Sequence, residues 1–130
     1  MNIKNATPHT INVYKKADII EAGRPGSNQF SFPEGELPTP KLVLESEYTP
    51  ATAPRVTVGH VPTGEMVCGI ELYTANFGEA YNLPLQEEGV LWVVSALVKS
   101  ACPQRTDLVT ILGAVKDHEG KVCGCTAFAR

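Results

Sequence analysis

Apolar and polar positions alternate along much of the chain with the period of two that marks half-buried strands. "INVYK" (11–15) is the first such stretch, and "NATPHT" before it, with Pro8 between Asn and Thr residues, suits an opening turn. "AGRPGSNQFSFPEGELPTP" (22–40) is rich in proline and glycine and reads as a long loop, with a short edge strand at "QFSF". "KLVLE" (41–45), "RVTVGHV" (55–61) and "EMVCGIELYTA" (65–75) follow as strands. The last two are joined by "PTG", which predicts a hairpin. "NFGEAYNLPLQEEG" (76–89) reads as turn-rich.

The pattern changes at "VLWVV" (90–94), which is continuously apolar and predicts a central strand covered on both faces. Ser95 is placed to cap a helix of about two turns over "SALVKSAC" (95–102), and Pro103 forbids its continuation. "LVTIL" (108–112) is a strand, and 113–130 is a final hairpin turning at "DHEG". No repeat or second domain is visible. The expected architecture is one α+β domain over 1–130, a mainly antiparallel sheet with one short helix after a central strand.

Composition supports a single globular unit: 130 residues, 43% hydrophobic and 19% charged, with 11 glycines and 10 prolines that favour turns over long helices. The net charge is −3 and Lys15–Lys16 is the only basic pair, so polymeric nucleic acid is a poor partner. A small phosphate-bearing molecule needs only one or two cations and stays compatible. The first sixteen residues lack an apolar signal core and no apolar run approaches membrane-spanning length, which places the expected protein in a cytoplasm, away from membranes. Cys68, Cys102, Cys123 and Cys125 match no zinc spacing and read as reduced, buried thiols. Neither a metal nor a cofactor is expected.

Candidate chemistry is sparse. HExxH, GxSxG and Walker-type glycine motifs are absent. His60 and His118 read as surface or turn residues, while His9 stands in "TPHT" among hydrogen-bonding groups, where orienting the turn is the plainer role. Glu45 and Glu47 fall on one face of a strand and Glu87–Glu88 in a loop; solvated faces explain both. "YTANFGEAYN" (73–82) offers Tyr73 and Phe77 as stacking faces and Asn82 as a reader of polar edges, against ordinary strand packing. Arg105 and Asp107 stand two residues apart just after Pro103. A guanidinium fork matches phosphate bidentately and Asp107 can steady it; the alternative is an internal pair that pins the turn.

"NATPHTINVY", "NLP" (82–84), "GVLWVVSALVKSACPQRTDLV" and "AVKDHEGKVCGCTAFAR" together resemble the first-discovered type of Thoeris anti-defence proteins of phages and prophages. That family's pattern is N-x-TPH, V-S-x-x-V-A running into P-x-R-x-D, and a glycine–cysteine tail. The likeness spans about half of the chain and leaves 17–60 unmatched. It implies a sponge that sequesters cyclic ADP-ribose isomers made by bacterial TIR-domain enzymes, without cleaving them, in the host bacterial cytoplasm. It also implies a β-rich core assembled as dimers or trimers of dimers, ligand pockets at subunit interfaces, and in some members cyclic trinucleotides at separate sites. By motif, Arg105 and Asp107 correspond to the residues that grip the ligand, Asn82 to the pocket asparagine, and Phe77 or Tyr73 to its aromatic platform. The family pattern can carry another arginine where this chain has Ala101; Lys99 is the expected substitute. Two other readings compete: a hydrolase that degrades such a messenger, with His9 or Asp107 as base, and a phage structural or accessory protein in which the Arg–Asp pair is architectural.

Overall fold

A computed structural model describes residues 1–130 as an α+β chain, with twelve strands, one 3-10 turn at Lys16–Asp18 and one short helix. In chain order the strands are β1 (Asn2–Asn5), β2 (Ile11–Val13), β3 (Ile20–Glu21), β4 (Gln29–Ser31), β5 (Leu42–Leu44), β6 (Arg55–Val67) and β7 (Ile70–Tyr81). Then come β8 (Val90–Val93), helix α1 (Ala96–Ala101), β9 (Leu108–Leu112), β10 (Ala114–Lys116), β11 (Val122–Cys125) and β12 (Ala127–Ala129).

Two sheets make the body. One has the order β1-β8-β9-β12 and the other β3-β4-β10-β11-β2-β5, while β6 and β7 form a separate two-stranded hairpin. Pairings are mixed: β1–β8, β8–β9, β4–β10 and β2–β11 are parallel, the rest antiparallel. Strand β8 lies between β1 and β9 as a central strand should. Its side chains alternate into two cores. Trp92 packs with Ala6, Val94, Val98, Cys102 and Leu108, while Val93 packs with Ile11, Val13, Val109 and Cys125. A third cluster, Tyr14, Ile19, Phe30 and Val115, fills the far end of the six-stranded sheet.

The chain passes from one sheet to the other at Gly113 and returns at Thr126. These two crossing points touch, and a Cβ on Gly113 would lie 2.0 Å from the Thr126 hydroxyl. Gly124 allows the closest approach to another strand's backbone, since a Cβ there would meet the Asn12 carbonyl oxygen at 2.3 Å. Glycine permits what any side chain would block.

Several expectations need correction. The hairpin bends at Cys68–Gly69, not at "PTG", because φ values of 52° and 77° there supply the two left-handed residues of a tight hairpin turn. Pro62–Gly64 instead form an irregularity within β6, where Thr63 Oγ donates to the Leu72 carbonyl (2.8 Å). Strand β7 continues to Tyr81 through the segment expected to be turns. Strand β4 is interior, paired with β3 and β10, not an edge. Glu45 and Glu47 lie beyond the end of β5, and Glu45 accepts from Thr10 Oγ (3.1 Å). Cys68 is exposed rather than buried. The expected N-cap is in place: Ser95 Oγ accepts from the Val98 amide at 3.3 Å, and α1 ends just before Pro103.

Candidate ligand-binding site

The motif "NATPH" is organised by a residue the sequence reading passed over. Asn5 is buried, and its amide nitrogen donates to the carbonyls of His9 (2.6 Å) and Leu44 (3.0 Å). Its oxygen accepts from the Thr7 amide (2.9 Å) and the Thr7 hydroxyl (2.6 Å). A buried amide with four bonds is fully used by the fold. The consequence is that His9 is held by its backbone, and its exposed ring is set against a cleft of about 580 Å³ shared with Thr7, Ser95, Thr110, Ile111 and Cys123.

Arg105 and Asp107 sit in the turn between α1 and β9. Arg105 Nε donates to Asp107 Oδ1 and Nη2 to Asp107 Oδ2, each at 2.7 Å, and Nη2 also donates to the Pro84 carbonyl at 3.0 Å. The pair is largely withdrawn from solvent, with side-chain exposures of 17% and 6%. Hydrogen bonds from the guanidinium hold the Asp107 carboxyl below the usual carboxylate range, against the opposing pull of burial. The same bonds raise the Arg105 pKa. The main chain is fixed as well, because the Asp107 carbonyl accepts from the Trp92 amide of the central strand (2.8 Å). Arg105 Nη1 alone has no partner in the chain, and it is not sealed from solvent.

Beside this pair lies a cleft of about 460 Å³ lined by Phe77, Gly78, Glu79, Ala80, Leu83 and the α1 end at Ala101–Gln104, Pro103 excepted. Gln104 directly precedes Arg105, and Leu83 directly precedes the carbonyl that Arg105 binds. Asn82 adjoins the cleft through Leu83; its φ of 61° turns the chain out of β7, a conformation asparagine tolerates. The structure therefore joins Arg105 to Asp107 and puts Phe77 in the cleft next to them along the chain, while Arg105, Asp107 and Asn82 do not themselves line that cleft. No family model, curated protein or solved structure matches this chain.

Three candidates lie elsewhere. Tyr73 is further out along β7, about 13 Å from Phe77 at the strand rise, and its hydroxyl donates to Glu71 at 2.8 Å. Lys99 is on another face of α1, lining a shallow cavity with Ser100, Thr110 and Arg130, so it does not take the place of an arginine at 101. His9 belongs to the separate cleft described above. Burial raises the Cys123 and Cys125 thiols above their ordinary range, which keeps them protonated near neutral pH and makes them poor nucleophiles. No helix is long and apolar enough to cross a membrane.

Proposed function

We propose that this chain is a non-enzymatic binder that captures a small cyclic nucleotide of the cyclic ADP-ribose type and holds it uncleaved in the cytoplasm of an infected bacterium. The observation that carries the reading is a guanidinium locked by Asp107 with its Nη1 unpartnered, in a turn whose neighbours Gln104 and Leu83 line a cleft that also holds Phe77. A preformed cation costs little ordering on binding, which favours affinity. Phosphate would be met by that nitrogen, and a base would stack on Phe77 while Asn82 meets a polar rim. The sequence likeness at "SACPQRTDLV" supports the same assignment.

The test is direct. The protein is incubated with a cyclic ADP-ribose isomer, filtered, then heat-denatured, and both fractions are chromatographed. Depletion from the filtrate with intact nucleotide released by heat is the expected result. Altered nucleotide would turn the reading to a hydrolase, and a nucleotide never depleted would sink capture of that compound.

One observation favours a second reading, that the Arg–Asp pair is purely architectural: most of its hydrogen-bonding capacity is spent inside the chain. Arg105→Lys separates the two. It keeps the charge but loses the fork. Capture lost by tenfold or more, with the protein still folded, supports the ligand role; capture unchanged supports the architectural one.

A further inference from the structure

Lys99 and His9, left aside by the Phe77 cleft, lead to two cavities that adjoin. Ala96, Lys99 and Ser100 share one face of α1, being three and four residues apart. Thr110 of β9 pairs with Ala129 of β12, which brings Arg130 to the same place. These residues line a cavity of about 410 Å³. Arg130 Nε donates to the Thr106 carbonyl at 3.2 Å, which steadies the guanidinium and leaves both Nη atoms without a bond in the chain. The ion pairs of the chain are Lys4–Glu87 and Arg105–Asp107, so neither Lys99 nor Arg130 has a counter-charge. No acidic side chain lines the cavity, and the Ser100 and Thr110 hydroxyls make no hydrogen bond within the chain.

Ala96 and Thr110 also line the cleft of about 580 Å³ beside His9, so the two spaces are continuous. That chamber has the opposite character. Its wall is made by Pro8, Ile11, Val94, Ile111 and Val122, and no Lys, Arg, Asp or Glu lines it. Two of its hydroxyls are spent inside the fold, Thr7 on Asn5 and Thr10 on Glu45. Neither space is lined by Phe, Tyr or Trp, so a nucleobase finds no aromatic ring to stack on.

We propose that the joined cavities bind a phosphate monoester of an apolar alcohol, with its head between Lys99 and Arg130 and its hydrocarbon body in the His9 chamber. The charges match, since a phosphate monoester carries close to two negative charges above pH 7. Its oxygens can accept from the guanidinium, the ammonium and the two hydroxyls. The apolar wall rewards a hydrocarbon body and offers a polar one few partners.

Calorimetric titration of the purified full chain with octyl phosphate at pH 7.5 is the test. Saturable binding with a Kd below about 1 mM is expected. Butyl phosphate should bind about tenfold or more weakly, because each buried methylene is worth roughly fourfold. Lys99→Gln with Arg130→Gln should weaken octyl phosphate binding tenfold or more, with near-UV circular dichroism unchanged. Should that variant fail to fold, Val122→Asp, which puts a charge on the exposed chamber wall, is expected to give the same loss. Absence of saturable binding overturns the inference, as does binding that survives both changes. Equal affinity for butyl phosphate or adenosine 5′-monophosphate overturns it too, because the apolar body would then contribute nothing. These cavities share no residue with the Phe77 cleft, so this result and the capture result stand or fall separately.

Discussion

Asp107 shows how one carboxylate couples site to fold. Its acid form cannot keep both bonds from Arg105, and its pKa is lowered in the folded state. A depressed folded pKa contributes stability that is present above the unfolded value, about 3.9, and is lost as pH falls through the lower folded value. Asp107→Asn is therefore expected to cost about 3 kcal/mol at neutral pH, since it leaves the largely buried guanidinium without its counter-charge. The deficit relative to the native protein should shrink as pH drops below 4. Urea titrations at pH 7 and at pH 3 measure this, and a deficit equal at both would mean that charge is not what holds the pair. The geometry thus makes alanine at 105 or 107 a test of folding as well as of binding, which is why Arg105→Lys is the more informative variant for capture.

At the scale of elements, the hairpin turn and the strand crossings depend on backbone shapes that few residues adopt. Cys68 takes a φ of 52° where asparagine is the usual choice before glycine. Cys68→Asn should raise stability by about 0.5–1 kcal/mol, a rise of roughly 3 °C in thermal melting for a chain of this length. Unchanged melting would mean that the turn tolerates the thiol without strain. Gly124→Ala works in the other direction, because its Cβ would press on the Asn12 carbonyl and the Tyr14 ring across β2–β11. A loss of about 3 kcal/mol by chemical denaturation is expected, the upper end for an overfilled core. Such positions explain what the sequence did and did not disclose. "VLWVVSALVKSACP" was legible because a continuous apolar run, a serine cap and a proline stop are local signals. The true hairpin turn was hidden because Cys-Gly is a weak signal beside Pro-Thr-Gly, and an irregularity within a strand has the composition of a turn. The partnership of Arg105 with Asp107 was legible from spacing. Its contact with Pro84, twenty-one residues away, and the retreat of Lys99 to another face of α1 were set by tertiary packing.

For the molecule as a whole, the body and the arm formed by β6 and β7 should differ in how they protect their backbone. In the body, β8 and β9 lie between neighbours on both sides, and Val93, Val109 and Leu108 are at most 3% exposed. Opening them requires global unfolding, so their amides should exchange with solvent most slowly and at a rate independent of protein concentration. The arm has no such support within one chain, since each of its strands has a single neighbour. Its amides beyond Val58–Phe77 open by local fraying unless a second copy covers them. Association stabilises in proportion to the logarithm of partner concentration, so dilution removes that protection. Hydrogen exchange read by mass spectrometry at about 50 μM and about 0.5 μM should therefore show peptides from 59–76 exchanging faster on dilution while peptides covering 90–94 and 108–112 stay constant. Arm peptides that exchange within seconds at both concentrations would mean that the hairpin is uncovered in solution. Arm peptides equally slow at both would mean that protection of the arm does not depend on association in this range.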